Sequence, residues 1–176
     1  PLSAFLRLGI QTICILTPVA IGMSQPALIP VISHWSMASA VSLFLLGFIN
    51  IYNFMDGING ITAFYSLVTL ISLAFAGIDV ATLLPLIGAV SAFTLFNARR
   101  RALTFAGDTG AIILGVSIGC MLAISPLWPA SLALVSVYIT DSCLTIITRL
   151  VRGENIFRPH TEHMYQLLTY HLGIPA

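Results

Sequence analysis

The sequence has 176 residues, of which 58% are hydrophobic and only 7% are charged. A soluble domain carries about 25% charged residues, so this composition excludes an ordinary soluble protein and indicates a chain embedded in a lipid bilayer. The net charge of +1 gives no reason to expect a nucleic-acid partner. The cysteines lie in apolar segments without the spacing of metal ligands, so we interpret them as packing residues.

Six apolar stretches approach the roughly 20 residues that a helix needs to cross a bilayer. They lie near residues 3–21, 38–55, 61–77, 80–97, 108–125 and 128–150. The sequence therefore predicts an all-α, polytopic membrane bundle of about six transmembrane helices. Residues 1–152 are expected to form the transmembrane domain, and residues 153–176 a cytoplasmic C-terminal tail.

The arginines predict the orientation of these spans. The chain has seven arginines and no lysine, and alternation of six spans places all seven on one side. Basic residues stay on the cytoplasmic side of a membrane, so this side is predicted to be cytoplasmic. Topology alone explains the run at 99–101, although that run could also attract anionic lipid head groups or a nucleotide. Asp79 falls on the opposite side, where a solvated turn is the simplest interpretation.

The predicted cytoplasmic side also collects most of the unusual polar side chains of the sequence. They are Asn53, Asp56, Asn97, Asp108, Glu154, His160 and His163. A purely structural membrane protein would not need to gather acids, amides and histidines from distant segments at one surface. The pattern therefore predicts a functional site there.

The first candidate motif is "NFMDGING", residues 53–60. Asn53 and Asp56 are three residues apart, so they share a face at a helix end. Gly57 and Gly60 can break the helix and let backbone approach a ligand. A carboxylate at membrane depth is costly and should face protein, water or an ion. The alternative is an ordinary turn in which Asn and Gly act as turn formers.

The second motif, "FAGDTGAIILG", covers residues 105–115 and opens an apolar helix at Asp108. An N-cap carboxylate is one interpretation. A helix N-terminus also favours phosphate, and Mg²⁺ typically uses one or two carboxylates together with substrate phosphates. The sequence leaves both interpretations open. "GVSIG" at 115–119 is interpreted as a small-residue motif for helix packing.

The third motif lies in residues 153–171, where His160 and His163 follow Pro159. Their spacing lets both face one site if a helix starts there. A zinc site is a competing interpretation, but cysteine and carboxylate ligands at the usual spacings are missing. With Arg158 adjacent, contacts to phosphate and nucleotide fit better.

Asp141 lies inside or near the end of the sixth span. Arg149 is two helical turns away, so it would pair with Asp141 only by reaching along the helix. A partner on another span, or a role in the site, is therefore expected for this carboxylate.

Together these motifs resemble those of the polyprenyl-phosphate N-acetylhexosamine-1-phosphate transferases. This group of bacterial membrane enzymes is glycosyltransferase family 4-like and is related to the phospho-MurNAc-pentapeptide translocase. The resemblance rests on "NIYNFMDGING", "FAGDTGAIILG" and "RPHTEHMYQLL", which occur in the family's order across essentially the whole chain. It implies transfer of a sugar-1-phosphate from a UDP-N-acetylhexosamine to undecaprenyl phosphate, with release of UMP. Such a reaction starts cell-wall or lipopolysaccharide synthesis at the cytoplasmic face of the bacterial inner membrane.

The resemblance also implies roles for individual residues. Asp56 and Asp108 would be catalytic, and Asp108 with Asn53 would hold Mg²⁺, or Mn²⁺ in its place. His160 and His163 would contact the phosphates or the nucleotide, with Arg158 in support. The implied partners are the UDP-sugar, undecaprenyl phosphate and the lipid bilayer, and a homodimer is left open.

Two departures from the family pattern lead to further expectations. The adjacent aspartate pair of the family is absent, and Asn59 stands where the family usually has an acid. The chain is therefore expected to be N-terminally truncated, and the 176-residue chain alone is expected to have little transferase activity. Two other functions compete with a transferase. A transporter would predict interrupted helices with polar groups near the bilayer midplane, and a non-catalytic scaffold would predict no effect of Asp108→Asn.

Overall fold

The computed structural model describes residues 4–23, 35–156 and 162–172. Within these ranges the chain forms seven helices in sequence: α1 (Ala4–Met23), α2 (Trp35–Phe54), α3 (Ile61–Phe75), α4 (Val80–Asn97), α5 (Gly107–Ile124), α6 (Trp128–Val151) and α7 (Met164–Leu172). Each predicted apolar stretch corresponds to one of α1–α6. The all-α prediction is confirmed.

Four of the helices contain an apolar stretch long enough to cross a membrane. These stretches are Met37–Phe54, Val80–Asn97, Gly107–Ile124 and Leu132–Val151. α1 and α3 contribute shorter apolar runs, Phe5–Pro18 and Ile61–Phe75. Large apolar side chains such as Leu43, Phe75 and Leu95 are exposed on the outside of the bundle. A surface of this kind suits lipid rather than water, so the structure is a helical membrane bundle.

Close packing of α2 against α5 brings the two helix backbones together. A Cβ atom on Gly115 would lie 3.2 Å from the Cα of Ile49, and one on Gly119 would lie 3.0 Å from side-chain atoms of Leu45 and Phe48. Glycine permits this approach because it has no side chain. The packing interpretation of "GVSIG" is thus confirmed, and the contact places the start of α5 beside the end of α2.

Three tyrosines tie α2, α3 and α6 together: Tyr52 and Tyr138 are buried, and Tyr65 is partly buried. The rings of Tyr65 and Tyr138 stack with centroids 3.6 Å apart, and the hydroxyls of Tyr52 and Ser66 are 2.6 Å apart. The Tyr65 hydroxyl donates to the Leu134 carbonyl. Buried tyrosines need such partners for their polar ends, so these contacts fix the relative rotation of the three helices.

The two ends of the bundle differ in character. At one end a Cβ atom on Gly77 would contact Pro126, so the α3–α4 and α5–α6 turns are neighbours there. Asp79 is exposed and accepts a hydrogen bond from the Thr82 backbone N–H, capping α4. That matches the turn predicted for it. The opposite end, here called the polar end, comprises the starts of α1, α3 and α5 and the ends of α2 and α4.

Candidate active site

Asn53 and Asp108 meet at the polar end. Asn53 lies in the last turn of α2, and Asp108 lies in the first turn of α5. The Asn53 side-chain amide donates to Asp108 Oδ1 across 3.2 Å. The Asp108 side chain is 66% exposed, so its carboxylate is accessible to a ligand. The structure therefore joins two residues that the sequence separates by 55 positions.

Arg7 is a further member of this group. Its guanidinium donates to Asp108 Oδ2 across 3.0 Å. The sequence suggested only a topological role for Arg7, because nothing in its surroundings indicates which carboxylate it would face. Its position near the start of a span predicted to begin on the same side as Asp108 was the one available signal. The contact places positive charge beside the candidate ligand carboxylate.

The N-cap interpretation of Asp108 is wrong. The N-cap of α5 is Ala106, whose own side chain makes no capping hydrogen bond. Asp108 instead lies within the first turn, where a negative charge still complements the helix dipole. Its carboxylate is directed to Asn53 and Arg7 rather than to its own backbone.

Asp56 lies in the turn between α2 and α3 and is half-buried. The Thr62 hydroxyl donates to its Oδ1 across 2.6 Å. Burial raises the pKa of Asp56, the hydrogen bonds from Thr62 and from the Gly107 backbone partly offset this, and the Asp108 charge raises it further. Asp56 therefore bridges the starts of α3 and α5. Because burial disfavours its ionised form, its charge would gain from a nearby cation.

A buried amide holds the α2–α3 turn in place. Asn97 is 3% exposed; its Oδ1 accepts from the Gly60 N–H across 2.8 Å, and its amide donates to the Thr104 carbonyl across 2.9 Å. Gly60 has a φ of 85°, which only glycine adopts readily. The turn interpretation is thus correct for Gly60, while Asn53 and Asp56 are directed toward α5. Asn59 donates to the Arg99 carbonyl.

The segment carrying His163 packs on the same turn. The Tyr165 hydroxyl donates to the Phe54 carbonyl across 3.1 Å, and a Cβ atom on Gly57 would overlap that hydroxyl. The His163 ring lies 6.3 Å from the Phe54 ring, centroid to centroid. His163 is therefore placed beside the end of α2, which carries Asn53. His160 and Arg158 lie outside the described residues, so their predicted roles stay predictions.

The predicted pairing of His160 and His163 was conditional on a helix that starts after Pro159. α7 starts at Met164, directly after His163, and residues 162–163 are not helical. Two hydrogen bonds cap the helix at this point: the Gln166 side-chain oxygen accepts from the His163 N–H, and Asp141 Oδ1 of α6 accepts from the Met164 N–H. The condition under which His163 would share a helix face with His160 is therefore not met at His163, which precedes the helix. The predicted division at residue 152 stays a prediction.

Asp141 was expected to have a partner on another span or a role in the site; among the described residues its partners lie at and just before the start of α7, outside the six predicted spans. Arg149 forms ion pairs with Glu154 (3.5 Å) and Glu162 (3.6 Å) instead. Asp141 faces the Met164 N–H at 2.8 Å and His163 Nδ1 at 3.7 Å. The sequence could not name these partners, because they are the first residue of α7 and the non-helical residue before it, 22 or 23 positions away.

The match to known families is clear. The sequence profile described as "Glycosyl transferase family 4" matches residues 1–126, which include Asn53, Asp56 and Asp108. The chain belongs to glycosyl transferase family 4. This family membership confirms the resemblance drawn from the motifs. No solved structure gives a significant match to this member of the family.

Two curated relatives of this family 4 chain illustrate the similarity. The phospho-N-acetylmuramoyl-pentapeptide-transferase of Latilactobacillus sakei subsp. sakei (strain 23K) is 36% identical over 110 residues, 57% of this chain and 34% of the relative. The probable undecaprenyl-phosphate N-acetylglucosaminyl 1-phosphate transferase of Bacillus subtilis (strain 168) is 28% identical over 148 residues, 76% of this chain and 41% of the relative. The chain thus spans less than half of the length of these relatives.

Proposed function

We propose that this member of glycosyl transferase family 4 transfers a sugar-1-phosphate from a UDP-N-acetylhexosamine to undecaprenyl phosphate. The observation that carries the proposal is the contact of Asn53 with Asp108 at 3.2 Å, with Asp56 bound to the starts of α3 and α5. The printed name of the Bacillus subtilis relative, which contains both undecaprenyl phosphate and N-acetylglucosaminyl 1-phosphate transfer, supports the substrate class. The reaction would initiate synthesis of a cell-envelope polysaccharide.

The chemistry is a phosphoryl transfer between two anions. A phosphate oxygen of undecaprenyl phosphate forms a bond to the β-phosphorus of the UDP-sugar. The bond from that phosphorus to the oxygen bridging the two phosphates breaks, and UMP leaves with this oxygen. Catalysis of this type depends on positioning and on neutralising charge more than on covalent chemistry. A polar end that combines carboxylates, amides and arginines can provide both.

The residues present fit a magnesium ion, with Mn²⁺ as a substitute. Within the described residues, no group of three or more His, Cys, Asp or Glu side chains is arranged to hold a metal by itself. Mg²⁺ does not need such a group, since it commonly binds one or two carboxylates together with substrate phosphates. We propose Asp108 and Asn53 as its protein ligands. When bound, the ion would neutralise charge on the diphosphate oxygens.

The other residues would complete the site around the diphosphate. Asp56 would help to hold the ion and the diphosphate, since its buried charge gains from a cation. His163, beside the end of α2, would contact the phosphates or the nucleotide. The same role is proposed for His160 and Arg158 from their places in the motif.

The location of the site supports a reaction at the cytoplasmic face of the inner membrane. Arg7 contacts Asp108 at the polar end, and Arg99 follows α4 at the same end. Arginines near the ends of membrane spans mark the cytoplasmic side, where a soluble UDP-sugar and a lipid phosphate can meet. α2 to α6 are continuous helices and the site lies at their ends, which favours a transferase over a transporter with interrupted helices.

A turnover assay tests this proposal. Membranes carrying the complete translation product of the gene are given UDP-N-acetylglucosamine labelled in the sugar, undecaprenyl phosphate and Mg²⁺, and the lipid-extractable label is counted. Asp79→Asn makes the same chemical change at the opposite end of the bundle and serves as the matched control. We expect wild type and Asp79→Asn to form labelled lipid and Asp108→Asn to lose at least about 100-fold in rate, comparable to other losses of transition-state charge stabilisation. Equal rates for Asp108→Asn and wild type would refute the proposal.

A further inference from the structure

The buried carboxylate of Asp141 has no place in the chemistry described so far. It lies midway along α6 and is 8% exposed. Its Oδ1 accepts from the Met164 N–H across 2.8 Å. Among the described residues its Oδ2 has no hydrogen-bond partner, and this oxygen lies 3.7 Å from His163 Nδ1. A buried acidic group in a membrane helix is costly to keep, so its orientation toward the histidine calls for a function.

The surroundings of His163 Nδ1 determine where the ring proton lies. The Thr145 hydroxyl donates its own hydrogen to the Asp141 carbonyl across 2.8 Å. The Thr145 oxygen also lies 3.4 Å from Nδ1, and toward that nitrogen it can act only as an acceptor. The Asp141 carboxylate is an acceptor too. Since both neighbours accept, the proton of the neutral ring belongs on Nδ1, and the lone pair belongs on Nε2.

The His163 ring is also fixed in position. It stacks on Tyr165 with ring centroids 5.7 Å apart, and Tyr165 is bonded through its hydroxyl to the Phe54 carbonyl. His163 as a whole residue is 3% exposed, and the Phe54 ring lies on another side of the imidazole. These contacts attach it to the end of α2, one residue beyond Asn53.

We propose that Asp141 is a positioning residue that fixes the tautomer and orientation of His163 for phosphate binding. With Nδ1–H directed at Asp141, a proton is gained or lost at Nε2 alone. A protonated ring then keeps its Nδ1–H facing the Thr145 oxygen at 3.4 Å and the Asp141 carboxylate at 3.7 Å, and it offers the Nε2–H to an anionic phosphate. The buried carboxylate stabilises the positive ring through its charge. The choice of a phosphate as the ligand of His163 rests on the proposed function. The assignment of the proton to Nδ1 is independent of that function.

The Asn variant of Asp141 inverts this arrangement. In Asp141→Asn the amide oxygen keeps the bond from the Met164 N–H, which places the NH₂ group toward Nδ1. An NH₂ group can only donate, so the ring must present a lone pair at Nδ1 and carry its proton on Nε2. Asp141→Glu keeps an acceptor at this position. Asp79→Asn makes the same change far from the ring.

The test is ¹⁵N NMR of histidine-labelled protein in nanodiscs at a pH where the ring is neutral, with the His163 signals assigned through His163→Gln. We expect the protonated-nitrogen shift at Nδ1 in wild type, Asp141→Glu and Asp79→Asn, and at Nε2 in Asp141→Asn. A proton on Nε2 in the wild type would overturn the proposal without any variant. An unchanged tautomer in folded Asp141→Asn would overturn it as well.

Turnover gives the second readout. In the complete translation product we expect Asp141→Asn to lower kcat about 10- to 100-fold, the usual range for a residue that orients a binding side chain. Asp141→Glu should recover part of this loss. A switched tautomer with unchanged kcat would refute the positioning role. Absence of transfer in the wild type would contradict the proposed function, while the NMR shifts would still decide the Nδ1 assignment.

Discussion

Gly115 provides a test of the packing that brings α2 and α5 together. A Cβ atom there would lie 3.2 Å from the Cα of Ile49 and 3.2 Å from the Cβ of Tyr52. Carbon atoms pack at about 3.5–4.0 Å, so Gly115→Ala forces the two helices apart by about 0.3–0.8 Å. The Ile49 Cα is a backbone atom, so it cannot rotate away from the added methyl group as a flexible side chain could. The separation is transmitted to Asp108, two turns along α5 from the substitution, and to its contact with Asn53 at the end of α2.

Gly47 supplies a matched control for the magnitude. It also lies inside a helix, α2, and a Cβ atom on it would meet nothing within 4 Å. Both substitutions gain about 1 kcal/mol of helix propensity, so this contribution cancels in the comparison. The remaining difference is the cost of overpacking, about 1–3 kcal/mol. At about 2–4 °C per kcal/mol for a chain of this size, Gly115→Ala should melt clearly below Gly47→Ala.

Thermal unfolding in one detergent, followed by circular dichroism, measures this difference. We expect Gly47→Ala to melt at or above the wild-type temperature and Gly115→Ala to melt below both. Equal melting temperatures for the two variants would show that α2 and α5 are not in close backbone contact at Gly115. The reasoning that links this contact to the site would then be refuted.

Three further changes test the polar end. Burial raises the pKa of Asp56 in the folded protein, so ionisation of this carboxyl destabilises the fold. Asp56→Asn should therefore melt at a higher temperature than wild type near pH 7.5, and the difference should close toward about pH 4, where the unfolded carboxyl is also protonated. A difference in melting temperature that does not change with pH would contradict this reasoning. Gly57→Ala places a Cβ atom on the Tyr165 hydroxyl, so amide hydrogen exchange in residues 164–172 should become faster than in wild type, and unchanged exchange would contradict the contact. Asn97→Ala leaves the Gly60 N–H without its acceptor and should lower the unfolding free energy by about 1–3 kcal/mol, whereas a neutral effect would mean that water replaces the amide.

The helices and their grouping were predictable because each follows from a property of a single segment. Apolar length defined α1–α6, and alternation across the membrane then assigned every helix end to a side. That is why Asn53, Asp56 and Asp108 could be placed together from sequence. The glycines at 115 and 119 were recognisable from their spacing alone.

The individual contacts were not predictable, because they depend on how each helix is rotated. Topology gives the end at which Arg7 lies but not that its guanidinium faces Asp108. The capping carboxylate of α7 comes from the middle of α6 rather than from the local sequence, so the sequence did not indicate where that helix starts. Asp141 was recognised as unusual because a carboxylate inside a membrane span is energetically costly. Only the packing of α7 on α6 identifies His163 as its partner.

The binding of a divalent cation at Asp108 is the most direct test of the site. Electron paramagnetic resonance counts free Mn²⁺ during its titration into the complete translation product with UDP-N-acetylglucosamine, corrected for Mn²⁺ held by the nucleotide sugar alone. Wild type and Asp79→Asn should bind the ion, and Asp108→Asn should bind it at least about tenfold more weakly, equivalent to ~1.4 kcal/mol. Equal Mn²⁺ affinity in Asp108→Asn and wild type would mean that the polar end does not hold the cation through this carboxylate.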